Sequence, residues 1–113
     1  MQHELKIASY YLFLDMAIKV LEIDRQNIIN GNFKIKPPYL KLINELTSNA
    51  IKKRKELKQT MYRQKIKVNF LYREGEFSYY KFIFHRSETV RSYFNPVIKK
   101  NVEKIIHELI DEL

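Results

Sequence analysis

The chain has 113 residues, 45% of them apolar and 13% aromatic, with 21 Lys/Arg against 13 Asp/Glu and a formal net charge of +8. That length and apolar content predict one domain over residues 1–113 with its own core and exclude an intrinsically disordered chain. The absence of cysteine excludes disulfides, thiolate metal sites and cysteine nucleophiles together.

Residues 4–29 read as one helix. At about 100° per residue, Asp15, Lys19, Glu22 and Gln26 form a narrow polar stripe, and nearly everything else is apolar, including Tyr10, Phe13, Leu14, Ile18 and Leu21. Such an arc is wider than one neighbour covers, so the helix is either central or shared with a second subunit; the second option carries the expectation of a homodimer. Lys6, Asp15, Lys19 and Glu22 interrupt the segment too often for a membrane span or a secretory leader. The expectation is therefore a cytoplasmic protein without a membrane partner.

Asn30-Gly31-Asn32 reads as a helix stop, with Gly31 supplying a left-handed conformation. Phe33-Lys34-Ile35-Lys36 alternates and predicts a short edge strand. Pro37-Pro38 then opens a second helix. Over about residues 38–62, Tyr39, Ile43, Leu46, Ala50, Leu57 and Met61 stay within one arc. Thr47-Ser48-Asn49 is a weak breaker cluster, but phase continuity favours a single helix. Broken there, the chain would resemble a winged helix in element order alone.

Residues 65–73 and 76–85 are rich in β-branched and aromatic types and predict a hairpin around Glu74-Gly75. That register pairs Ile66 with Ile83, Val68 with Lys81 and Phe70 with Tyr79. It directs Ile66, Val68, Phe70 and Tyr79 onto the first and last helices. The opposite face then holds Lys65, Lys67, Asn69 and Arg73 beside Tyr80, Phe82 and Phe84. Ser87 is expected to cap a helical segment to Phe94, with Asn95-Pro96 restarting or kinking it into the last helix. The fold class is α+β: two long N-terminal helices, an antiparallel hairpin and a C-terminal helix.

The positive charge is concentrated in the middle of the chain. Residues 31–86 hold fourteen Lys/Arg and four Asp/Glu, whereas residues 1–30 hold three against four and residues 87–113 hold four against five. A field concentrated in this way favours polyanions. The candidate binding residues are Lys52, Lys53, Arg54, Lys55, Lys58 and Arg63 on the second helix, assisted by Lys65, Lys67 and Arg73. Tyr80 and Phe82 on the hairpin would stack bases. The expected partner is nucleic acid, DNA or RNA, bound without catalysis; the alternative is a protein-interaction module docking an acidic protein surface. No Gly-rich loop and no paired-histidine motif is present, so neither a cofactor nor a metal is expected. His85 with Arg86, Arg63 and Tyr80 is the one set that suggests a ribonuclease-like acid–base site.

Overall fold

Three helices and a three-stranded antiparallel sheet make up the fold, an α+β arrangement in the order α1 (Gln2–Asn30), α2 (Pro37–Gln64), β1 (Ile66–Glu74), β2 (Phe77–Phe84), β3 (Ser87–Phe94) and α3 (Asn95–Asp111). The structure is a computed structural model and describes residues 2–113. Helix α1 is central. It buries Ala8, Phe13, Leu14, Ala17, Ile18 and Leu21 and packs against α2, α3, β1 and β2. Most of its apolar arc is thus covered within one chain, so α1 does not require a second subunit; Val20 and Ile23 remain exposed.

The connection from α1 to α2 contains no strand, contrary to the alternation at residues 33–36. Instead the Lys36 ammonium donates to the Ile29 carbonyl at 2.7 Å, satisfying a free acceptor at the end of α1 with a cation that also suits the helix dipole. Gly31 is required for close approach and not for a left-handed backbone. A Cβ there would lie 2.7 Å from the Asn27 carbonyl oxygen. Helix α2 runs unbroken through Thr47-Ser48-Asn49. The Thr47 hydroxyl is absorbed by the helix, donating to the Ile43 carbonyl at 2.8 Å, so the winged-helix order does not arise.

The sheet departs from the expected register by two residues beside the turn and by one beyond a bulge. Glu74 pairs with Phe77, which leaves Gly75-Glu76 as the two-residue loop. Gly75 takes φ +59, and glycine at the first loop position is what a type II′ connection favours. A two-residue shift leaves side chains on their faces; the bulge between Phe70 and Tyr72 reduces it to one and so turns β2 over against the start of β1. Ile66 now faces Phe84, Val68 faces Phe82 and Phe70 faces Tyr80. The same bulge keeps Ile66 and Val68 on the helix side. Tyr80 and Phe82 are therefore core residues, and Tyr79 lies on the outward face.

Residues 87–94 form a third strand and not a capped helix. Thr89, Val90, Tyr93 and Phe94 are β-branched or aromatic, and Tyr93 packs edge-on to Phe13 at 5.5 Å and against Tyr80 and Phe82. The turn into β3 is His85-Arg86, with His85 itself at φ 38. Helix α3 begins at Asn95-Pro96 as a fresh element, so no kink exists there. Asn95 does not cap it. Its side-chain oxygen accepts from the Ser78 hydroxyl at 2.7 Å, and its N–H donates to the Glu76 carbonyl at 2.7 Å. These two bonds tie the start of α3 to the β1–β2 turn.

Phe82 is fully buried, so Phe82→Ala should cost about 3–5 kcal/mol in urea unfolding. Tyr79→Ala on the outward face should cost no more than about 1 kcal/mol; the inverse ranking would restore the hairpin register expected from sequence. Burial raises the phenols of Tyr80 and Tyr93 above their ordinary value of 10.0. The unfolded chain releases these protons first, so it binds fewer of them and stability falls as pH climbs beyond 10. Tyr93→Phe should shallow that decline when urea midpoints are compared at pH 9 and pH 11.

Candidate functional site

Four consecutive cations, Lys52 to Lys55, cannot share one helix face, since successive residues lie about 100° apart. The structure divides them. Arg54 turns inward and donates to Asp15 on α1 at 2.7 Å, and Asp15 also pairs with Lys19 at 3.4 Å. Lys53 reaches the Glu112 carboxylate just beyond α3, and this hydrogen bond raises its pKa. Both residues clamp α2 to its neighbours. Lys52 and Lys55 remain exposed on the far side of the helix.

The cations that converge do so further along. The last two turns of α2 and the start of β1 enclose a groove of about 810 Å³. Lys58, Arg63, Lys65 and Lys67 stand around it over an apolar floor of Met61 and Ile66. Tyr62, 86% exposed, rises from its wall. No aspartate or glutamate lines the groove, and among the described residues none of its four cations is ion-paired. A shallower depression of about 470 Å³ shares Lys58, Tyr62 and Arg63 and extends the basic surface back to Lys55.

The groove exists because α2 passes into β1 through one residue. Lys65 closes the helix in the left-handed region, φ 56, its N–H directed to the Met61 and Tyr62 carbonyls. His85 lines the groove and is the other described non-glycine residue with positive φ. Its N–H donates to the Lys65 carbonyl at 3.0 Å, which locks the β2–β3 turn to the helix end. Two side-chain-bearing residues in a region that favours glycine, joined to each other at one groove, mark stored strain.

The remaining sequence candidates lie elsewhere. Arg73 sits at the far end of β1, its Nε donating to the Gly75 carbonyl at 3.4 Å. Tyr80 and Phe82 are 6% and 0% exposed and present no ring to solvent. His85 and Arg63 share the groove, but the burial of Tyr80 removes it from the acid–base set. Sequence reasoning missed Tyr62, which falls outside the apolar arc of α2 one turn after Lys58. Among the described residues, no group of three or more His, Asp or Glu stands together as a metal site, and no helix is long and apolar enough to cross a membrane.

Fold and site together define a small α+β protein with an unneutralised basic groove at a helix–strand junction. The chain belongs to the YhjD protein family, whose profile matches residues 1–113. It is 33% identical over 95 residues to the uncharacterized protein YhjD of Bacillus subtilis strain 168, an alignment covering 84% of this chain and 79% of that protein. No solved structure matches it significantly.

Left-handed lysine costs about 1–2 kcal/mol, part of which glycine returns as backbone entropy. Lys65→Gly should therefore raise the unfolding free energy by about 0.5–1 kcal/mol while removing one groove cation; an unchanged urea midpoint would show that the junction is unstrained.

Proposed function

We propose that this chain is a non-enzymatic nucleic-acid-binding protein whose phosphate contacts are made in the groove between α2 and β1. The observation that carries the reading is the convergence of Lys58, Arg63, Lys65 and Lys67 on one concave surface with no carboxylate among the lining residues. Among the described residues these cations have no carboxylate partner, and they favour an external anion with repeated charge. Lys55 and Lys52 continue the surface along α2. Lys53 and Arg54 are excluded from it by their ion pairs with Glu112 and Asp15. Tyr62, raised among the cations, offers a planar face of the kind on which bases stack.

Salt dependence tests this directly. Each phosphate contact contributes about 0.7 to the log–log slope on single strands and about 0.9 on duplex DNA. Replacing Lys58, Arg63 and Lys67 by Ala and Lys65 by Gly should lower the slope by about 3 and weaken binding at every sequence tested. Arg54→Ala should instead lower thermal stability and leave the slope unchanged. Wild-type binding that vanishes by about 0.15 M salt would sink the proposal and favour an acidic protein surface as the partner.

A further inference from the structure

We infer that the polymer held in the groove is a single strand, whose bases stack on the open face of the sheet; this rests on the nucleic-acid reading and names its substrate class. The helices cover one face of the sheet. On the other, Tyr72 and Tyr79 stack across strands with ring centroids 4.5 Å apart and planes at 17°, and Phe77 lies beside Phe94 at 5.4 Å. Tyr72, Phe77 and Phe94 keep 49%, 42% and 43% of their surface exposed. Four rings on the solvent side of three strands are far more than an outward face needs, since outward positions of a one-sided sheet are ordinarily polar.

The groove and this face are continuous. Lys67 pairs with Ile83 and Asn69 with Lys81 at outward positions of the sheet, and Lys67, Asn69 and Ile83 also line the groove. From the Lys65 junction along β1, cations give way to rings in order, from Lys67 to Tyr72. At about 3.3 Å per residue, Lys67 and Tyr72 stand roughly 16 Å apart, so a flexible chain of phosphates entering at the groove passes directly onto the rings. A single strand supplies both partners, backbone charge for the lysines and free base faces for the aromatics. A duplex offers the charge but keeps its base faces inside its own stack. A second copy of this chain, itself at +8, meets the basic surface with like charge.

The test uses the full chain and fluorescence anisotropy at about 0.15 M salt. Three labelled probes of about 12 nucleotides are compared: an RNA, the DNA of the same sequence, and that DNA paired to its complement. Either single strand should bind at least about tenfold more tightly than the duplex, and the preferred one identifies the polymer. Tyr72→Ala with Phe94→Ala should lose about tenfold or more of single-strand affinity and leave the duplex within about twofold. Tyr72→Val with Phe94→Val keeps strand-forming side chains without rings and should show the same loss with an unchanged circular dichroism spectrum. Duplex bound as tightly as single strand, or ring variants that retain wild-type affinity, would overturn the inference. If the ring variants are neutral while the groove variant abolishes binding, stacking falls and the basic groove stands. If no probe binds the wild-type chain, both fall.

Discussion

Helix α1 is too apolar to face water on more than one narrow side, and every other element is placed by the need to cover it. One cluster joins it to α2 and α3 through Leu14, Ile18, Leu46, Ala50 and Leu109; another joins it to the end of α2 and the sheet through Ala8, Met61, Ile66, Phe82 and Phe84. Leu12, Met16, Tyr93 and Ile98 pack against both. Ala8, Ala17 and Ala50 are fully buried and let neighbouring backbones approach closely. Without α1 neither cluster has a centre, because the sheet contributes one apolar face and α2 and α3 one stripe each.

That central packing fixes where the basic groove lies. Helix α2 must run its whole length to serve both clusters, burying Ile43 near one end and Met61 near the other. It therefore delivers its last turns to the edge of the sheet, where the chain reverses through Lys65 alone. A helix and a strand joined by one residue diverge at once, and the space between them is walled by whichever side chains neither element buries. Here those are Lys58, Tyr62, Arg63 and Lys67. The same geometry turns the half-buried Lys53 and Arg54 toward α3 and α1, so one charge run is divided between ion pairs that join helices and cations left on the surface.

The helices were legible because their signals are long: the stripe of Asp15, Lys19, Glu22 and Gln26, and the arc from Tyr39 to Met61, each persist through many turns. The hairpin was legible as an element and not as a surface. Its turn is marked by Gly75, but the bulge between Phe70 and Tyr72, which decides which side of β2 is buried, has no sequence signal, and Phe82 and Ile83 are equally fit for either side. The third strand was missed because His85-Arg86 carries no glycine, proline or asparagine to mark the turn, although His85 takes a positive φ there. Of the candidate site, Lys58, Arg63, Lys65 and Lys67 were legible from charge alone. Which neighbours in the run would be taken by Asp15 and Glu112 was not, since those partners lie 39 and 59 residues away.

The order of the sheet has a kinetic meaning. Its strands pair only with their neighbours in sequence, β1 with β2 and β2 with β3, and α1 meets α2 across a short connection. These pairings therefore close small loops and lose little chain entropy before their contacts form. The non-local contacts are those that α1 makes with the sheet and with α3, which span most of the chain. Sequence-local pairing of this kind favours fast folding, and the ion pair of Lys53 with Glu112 can close only once the last helix has docked.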